Sequence, residues 1–423
     1  MVLSKDYSFF NGLINQDDET MKIAFLGPFI NSYLKPFLPN LSDDDLIKSP
    51  GMGGNGLIEL VEERLLRRNK TIVITLDTNL ESDTIIRKGE YCSLYSLPKR
   101  RGYKSLFDLF SRERKSIAHA IEDSKPDLIH AHWTTEYALT VLNSKIPTVI
   151  TSHDHPKDVL KYLGWRFFPS YLISNHIIKK AKYITTVSPY VLDYINKLRT
   201  NNDAVCIGNP LASKFINNSD WLNKDYSYIS PVITSVLDWN ELKNPKNALL
   251  GFNILLDKFP NAELHLFGHG LGKGEVGEYW CQENGLLRNI HFNGRVHNET
   301  VKEQMKKTTI LLYTSRNESF GMVVAEAMVL GLPIIGGQES GAIPYLLDYG
   351  KAGLLTDIND PKAIASALLL LLSDVGKRSD FGQKAGQRAQ VIFDPDMIVE
   401  KWDTIYERVL MGKMLSTQGE LEI

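Results

Sequence analysis

Short apolar runs of strand length alternate with amphipathic helical segments along almost the whole of this 423-residue chain, and the alternation starts twice. In the first half, residues 22–26, 71–75, 127–131, 147–151 and 183–187 read as strands. Helical periodicity lies between them: Leu57, Ile58, Val61 and Leu65 share one face over 57–68, a second helix is expected over 106–121, and Ser188-Pro189 opens another. The second set of strands covers 231–237, 262–267, 289–292, 309–313 and 333–336. Strands joined by helices form parallel sheets covered on both faces. The expected fold class is therefore α/β, with two Rossmann-like doubly wound domains facing a central cleft. A polar, proline-containing stretch from Asn201 to Asp220 suits the linker, which divides the chain into 1–205, 206–395 and a final segment 396–423. That last segment carries Ile398, Trp402, Ile405, Tyr406 and Leu410 at helical spacing, a packing stripe able to cross back and brace the first domain.

Bulk properties narrow the partners. A net charge of −2 argues against a general nucleic-acid binder. Cys92, Cys206 and Cys281 are scattered without metal spacing, as in a reducing cytoplasm. The first twenty residues hold Lys5, Asp6, Asp17, Asp18 and Glu19 and no signal-like apolar core, and no apolar run reaches membrane-spanning length. The expected location is cytoplasmic, with the inner face of a membrane as a second option.

Two carboxylates eight positions apart carry the strongest chemical signal. Glu318 follows the 309–313 strand, at the end where open parallel sheets bind ligands, and Gly321 lets a helix begin close to such a ligand. Glu326 sits in that helix among Val323, Val324, Ala325, Ala327 and Met328. A carboxylate in such company needs partners, from a ligand's hydroxyls or a basic side chain.

In the first half, Gly51-Met52-Gly53-Gly54-Asn55-Gly56 precedes the helix at Leu57. Backbone N–H groups in such a loop, with the helix N-terminus behind them, favour a phosphate or developing negative charge. No Lys-Ser or Lys-Thr follows, so the loop is not of the phosphate-loop type. His130 and His132 close one strand and His153 and His155 the next. A histidine placed there suits a general acid, a base or a hydrogen-bond partner.

Together these motifs make the chain recognisable. Glu318-Ser319-Phe320-Gly321 with Glu326-Ala327-Met328 resembles the E-x7-E signature of retaining GT-B glycosyltransferases, most like family 4 (glycosyl transferases group 1). The strand 22–26 with Gly53 to Gly56, Asp127 to His132, Ser152-His153-Asp154, Ile207 to Pro210, Leu266 to Gly270, Ile290 to Gly294 and Ser340 to Pro344 follow in that family's order.

The resemblance implies transfer of a sugar, with retention, from a nucleotide-diphosphate donor to a hydroxyl of a saccharide or lipid-linked acceptor, in synthesis of cell-surface polysaccharides or glycoconjugates. UDP-sugar is the first expectation and GDP-sugar the second. The first domain would bind acceptor and the second donor. Glu318 and His153 would be catalytic. Glu326 would hold the donor ribose, Lys243 and the Gly54, Asn55 and Gly56 loop the diphosphate, and the backbone of Ser319, Phe320 and Gly321 the departing charge. The base would lie by Arg295. Asp238 stands where the family places an arginine, so Lys246 or Arg316 would complete the diphosphate clamp. A non-catalytic nucleotide-sugar-binding subunit of an assembly system is the alternative.

No cofactor or metal is expected. Asp43-Asp44-Asp45 and Asp394-Pro395-Asp396 match an Asp-x-Asp pattern formally, but neither follows a buried strand, and helix capping explains them. Lys99, Arg100, Arg101, Lys104, Arg112, Arg114 and Lys115, interleaved with aromatics, form a basic region over 99–115 suited to weak peripheral contact with an anionic membrane.

Overall fold

The computed structural model describes residues 21–102, 104–201, 203–228 and 230–415. The charged N-terminal twenty residues, Tyr103, Asn202, Ile229 and the end of the tail (416–423) lie outside the described residues.

Eight strands build the first sheet: β1 (Ile23–Leu26), β2 (Thr71–Asp77), β3 (Ile85–Lys88), β4 (Cys92–Pro98), β5 (Leu128–His132), β6 (Thr148–Ser152), β7 (Ile184–Thr186) and β8 (Val205–Cys206). Their spatial order is β3-β4-β2-β1-β5-β6-β7-β8, parallel except for β3, which runs antiparallel on the edge. All four residues of β1 and all seven of β2 are buried, because helices cover both faces. The second sheet contains β9 (Val232–Val236), β10 (Glu263–Phe267), β11 (Ile290–Gly294), β12 (Ile310–Tyr313), β13 (Ile334–Gly337) and β14 (Leu354–Thr356). It is parallel throughout, in the order β11-β10-β9-β12-β13-β14.

Each sheet reverses its winding once, between β1 and β5 in the first and between β9 and β12 in the second. At these points neighbouring connections depart to opposite faces, and a crevice opens beyond the carboxyl ends of the strands.

Several local expectations need correction. The 106–121 helix is two helices, Lys104–Phe107 and Ser111–Ser124, separated by Leu109 and Phe110 at φ of 52° and 57°. Asp108 forces the break: its carboxylate accepts from Ser111 and takes a paired contact from Arg100, at 2.8 and 2.9 Å. Nor is 201–220 a free linker. Val205 and Cys206 pair with β7, so a division at 205/206 would cut β8, and Ser213–Asn217 is a helix whose first residue bonds Glu63. The basic region is mostly committed internally: Lys99 pairs with Glu136, Arg100 with Asp108 and Glu113, and Arg101 and Arg112 reach backbone carbonyls of Thr78 and Glu81. Among the described residues no helix is long and apolar enough to cross a membrane.

The Pro395–Leu410 helix, capped by Asp394, lies in the first domain's core. Ile398, Trp402, Ile405 and Tyr406 pack there with Phe25, Leu57 and Val61. Arg64, only 2% exposed, pairs with Asp403 at 2.5 Å and lies over the Tyr406 ring. The Tyr406 hydroxyl meets His130 Nδ1 at 2.9 Å, and His130 Nε2 meets Thr151 Oγ1 at 2.7 Å. The end of the chain is thus wired to the strands that carry the histidines. Trp402→Ala, which empties a large buried volume, is expected to cost about 3–5 kcal/mol in urea unfolding. A loss below about 1 kcal/mol would show that the helix does not hold the first core.

Candidate active site

At the second sheet's reversal, two loops meet. The loop after β9 is pinned by Asn244, which adopts φ of 56° and donates its amide to Ile358 O, and this places Lys243 at the strand end. The loop after β12 carries Glu318. Lys243 Nζ donates to Glu318 Oε1, and the Tyr313 hydroxyl donates to the same oxygen at 2.7 Å. Ala342 N donates to Glu318 O at 2.8 Å, in a turn where a side chain on Gly341 would come within 2.3 Å of that carbonyl. The Ser340 to Pro344 motif therefore acts as a backbone seat for Glu318. Immediately afterwards Gly321, at φ of 101°, starts the Met322–Val329 helix, whose free N–H groups face the same space.

Across from it, the first sheet's reversal presents Trp133 after β5 and His153 after β6. Trp133 takes a φ of 64°, and its ring stacks on His153 with centroids 4.2 Å apart. His153 Nε2 is occupied by His132 Nδ1 at 2.7 Å, which leaves Nδ1 as its other polar atom. Burial pushes the His153 pKa down to about 3, and burial holds His130 and His132 well below the ordinary range too. At neutral pH all three are uncharged imidazoles.

A cavity of about 400 Å³ is lined from both sides by Asn55, Gly56, Trp133, His153, Lys243, Tyr313 and residues 317–323. The glycine loop reaches it because Gly54 adopts φ of 82° against Pro28 O and begins the Asn55–Leu66 helix. Gly56 leaves room for Asn209, whose side-chain atoms stand 2.4–2.8 Å from where a Cβ would be. The facing loops touch directly: His155 N donates to Ser319 Oγ at 3.2 Å, the Ser188 hydroxyl donates to Ser319 O, and Asn317 Nδ2 donates to the Tyr190 hydroxyl at 2.8 Å.

Residues 55–211 match the family model described as Glycosyltransferase Family 4, and residues 229–388 match Glycosyl transferases group 1. The chain belongs to the family 4, group 1 glycosyltransferases. Among relatives of the family, the N-acetyl-alpha-D-glucosaminyl L-malate synthase of Bacillus anthracis is 25% identical over 70% of this chain and 78% of its own length. An uncharacterized glycosyltransferase of Methanocaldococcus jannaschii is 27% identical over 79% of this chain and 89% of its own. In structure, the sucrose-phosphate synthase of Thermosynechococcus elongatus superposes with a TM-score of 0.72 at 16% identity, covering 93% of this chain and all of that one (100%). Anabaena HepE in complex with UDP-glucose gives 0.66 at 16% identity, over 92% of this chain and 100% of its own. These likenesses establish the GT-B fold of this glycosyltransferase.

The remaining site residues are distributed unevenly. Glu318, His153, Lys243, Asn55, Gly56, Ser319, Phe320 and Gly321 all border the cavity. Phe320, 5% exposed, does so while its ring packs against Phe393. Glu326 does not line that cavity. It is 5% exposed, accepts from Asn298 Nδ2 at 3.2 Å, and has its pKa raised by burial. Its partner is thus an amide from the Asn298–Lys306 helix. Arg295 is exposed beyond β11 and also stands outside the cavity lining.

The clamp substitutes proposed for Asp238 are engaged elsewhere. Arg316 is tied to Glu241 at 2.7 Å and to Asn359, and the Lys246 ammonium lies over the Trp239 and Trp280 rings. Asp238 itself accepts from His269 N at 2.9 Å, closing the loop after β10. The two Asp-x-Asp runs serve helices, with Asp45 completing a capping box and Asp394 capping the last helix. Glu59 escaped the sequence reading. It stands on the Asn55–Leu66 helix near Glu326 and Lys302, and burial pushes its carboxyl up to about 8. No motif marks it, because its neighbourhood exists only once the two domains meet.

The histidine has a thermodynamic signature. Unfolded, His153 titrates near its ordinary 6.5, but folded it resists protonation down to about 3. The unfolded state therefore takes up its proton first as the pH drops, so stability falls from about pH 6.5 downward and carries no such penalty above it. His153→Asn is expected to lose melting temperature less steeply than wild type between pH 6.5 and about pH 4. Parallel slopes would mean that His153 titrates normally in the folded chain.

Proposed function

We propose that this glycosyltransferase moves a sugar, with retention of anomeric configuration and without a required metal, from a nucleotide-diphosphate donor to an acceptor hydroxyl. The observation that carries the proposal is Glu318 held by Lys243 and Tyr313 at one reversal point, with His153 and its Trp133 support across the same cavity. UDP-sugar is the preferred donor and GDP-sugar the second; the UDP-glucose in the HepE neighbour supports that order. The acceptor class is a saccharide or a lipid-linked saccharide met on the cytoplasmic side.

In this reading the second domain holds the donor. The Lys243 ammonium has three donors and spends one on Glu318, so others can meet the diphosphate as a compact positive charge. The N–H groups of Phe320, Gly321 and Met322 stabilise charge on the departing diphosphate oxygen. Gly54 to Gly56 close over that region from the first domain. The acceptor hydroxyl attacks the anomeric carbon on the face from which the diphosphate leaves, and a leaving phosphate oxygen takes its proton. The C–O bond to the acceptor forms as the C–O bond to the phosphate breaks, so no protein nucleophile is needed. Glu318 orients the sugar hydroxyls. Neutral His153 hydrogen-bonds the sugar beside the reacting centre. Glu326 fixes the ribose, exchanging or sharing its Asn298 contact.

Glu318→Ala and His153→Ala are each expected to abolish turnover while leaving the unfolding midpoint within a few degrees of wild type. Normal transfer rates in either purified variant would remove that residue from the chemistry. In a thermal-shift comparison of UDP, GDP and ADP, UDP should raise the melting temperature most, because a ligand that binds only the folded state stabilises it. Glu326→Ala should weaken that shift, and an unchanged shift would place the ribose elsewhere. Slow donor hydrolysis without acceptor would distinguish a transferase from a nucleotide-sugar-binding subunit, which would release no sugar.

A further inference from the structure

On the second sheet, away from its reversal point, edge strand β11 lies parallel to β10 with His265 directly beside His291. Glu263 precedes His265 by two residues on the same strand, so all three side chains leave the same face. Leu264 and Leu266, between and after them, are fully buried on the other face. His265 Nε2 and His291 Nε2 both approach a single atom, Glu263 Oε2, at 3.3 and 3.4 Å. The imidazole rings stack with centroids 4.3 Å apart and only 16° between their planes, which sets the two nitrogens side by side. One ligand atom from each of the three residues lies within 4.8 Å of the others.

We propose that Glu263, His265 and His291 form a binding site for a zinc-class divalent ion, separate from the transfer chemistry. The spacing carries the assignment. With metal–ligand bonds of about 2.0–2.1 Å, two ligand atoms of a tetrahedral site stand about 3.3–3.4 Å apart. The two nitrogen-to-oxygen separations already have that length, so the carboxylate and either imidazole need little movement to share an ion. Two imidazoles and one carboxylate favour zinc, cobalt or nickel over magnesium or calcium, which prefer oxygen. Glu263 and His291 are half-exposed, so an ion can enter from solvent and keep a water in its fourth position. Bound there, it ties β11 to β10 through side chains, alongside the ladder hydrogen bonds, and restrains the edge of the domain that would hold the donor.

The site is tested on the full-length chain without a histidine tag, stripped of metal by chelator and dialysis. Zinc is titrated in competition with a chromophoric chelator, and cobalt is added separately as a visible-absorption probe. Wild type is expected to take up one equivalent of zinc, to show tetrahedral cobalt absorption, and to melt higher with zinc. Glu263→Gln and His291→Ala should each weaken zinc binding tenfold or more and lose the melting shift. Glu263→Gln is close to isosteric, so it keeps the test valid if the histidine variant folds poorly. Wild-type zinc affinity in both variants, or no zinc uptake by wild type, would overturn the proposal. Donor turnover by the variants should match wild type, since none of the three residues borders the catalytic cavity.

Discussion

The reversal of strand order in each sheet is the constraint on which the rest depends. A right-handed crossover places each helix on one face, so a sheet wound outward from its middle must part its loops where the winding changes. In the second sheet that parting lies between β9 and β12, and Lys243 and Glu318 are the residues found there. In the first it lies between β1 and β5, with Trp133 and His153 just beyond. The charged pair and the imidazole meet because both crevices open into one cavity. Hydrogen bonds refine the result: the Gly341-Ala342 turn seats the Glu318 backbone, and Trp133 supports the His153 ring.

Much of this was legible from the chain alone, for physical reasons. Buried parallel strands are continuous apolar runs, so β1, β2, β5, β9, β10 and β12 announce themselves. β3, β4, β8 and β14 are not among the expected strands: in β4 Ser93, Ser96 and Pro98 interrupt the apolar run, and β8 is only two residues long. β3 is a half-covered edge strand whose Ile85-Ile86-Arg87-Lys88 breaks the apolar pattern, and β14 is three residues long. The break at Leu109 and Phe110 was hidden because apolar periodicity continues through it, while its cause is Arg100, reaching back from outside the helix. Glu318 could be placed from its strand-end position. The surroundings of Glu326 could not, because its amide partner comes from a helix more than twenty residues earlier, and nothing local signals their approach.

The buried histidines show how a packing decision becomes a chemical one. His130 is spent on structure, bridging Tyr406 of the last helix to Thr151. Its ring lies 3.9 Å from that of His132, which in turn meets His153. His130 and His132 are held well below the ordinary range by burial first and by neighbouring charge second, whereas half-buried His153 at the cavity edge is lowered by loss of solvent. Through His130, the C-terminal helix is tied to the two strands that lead to His132 and His153, although it is far from them in sequence.

Ser319 has a consequence for how the domains part. Its hydroxyl accepts from His155 N and its carbonyl from Ser188, while neighbouring Asn317 bonds Tyr190. All three contacts tie the first domain to the same short loop that carries Glu318. Prying the domains apart costs those bonds, each about 0.5–1.5 kcal/mol net, and frees the Ser319 edge of the loop. Glu318 itself stays seated, because Lys243, Tyr313 and the Ala342 turn all belong to the second domain. Domain separation therefore uncouples His153 from a carboxylate that keeps its own setting, and closing has only to restore the approach of the two halves.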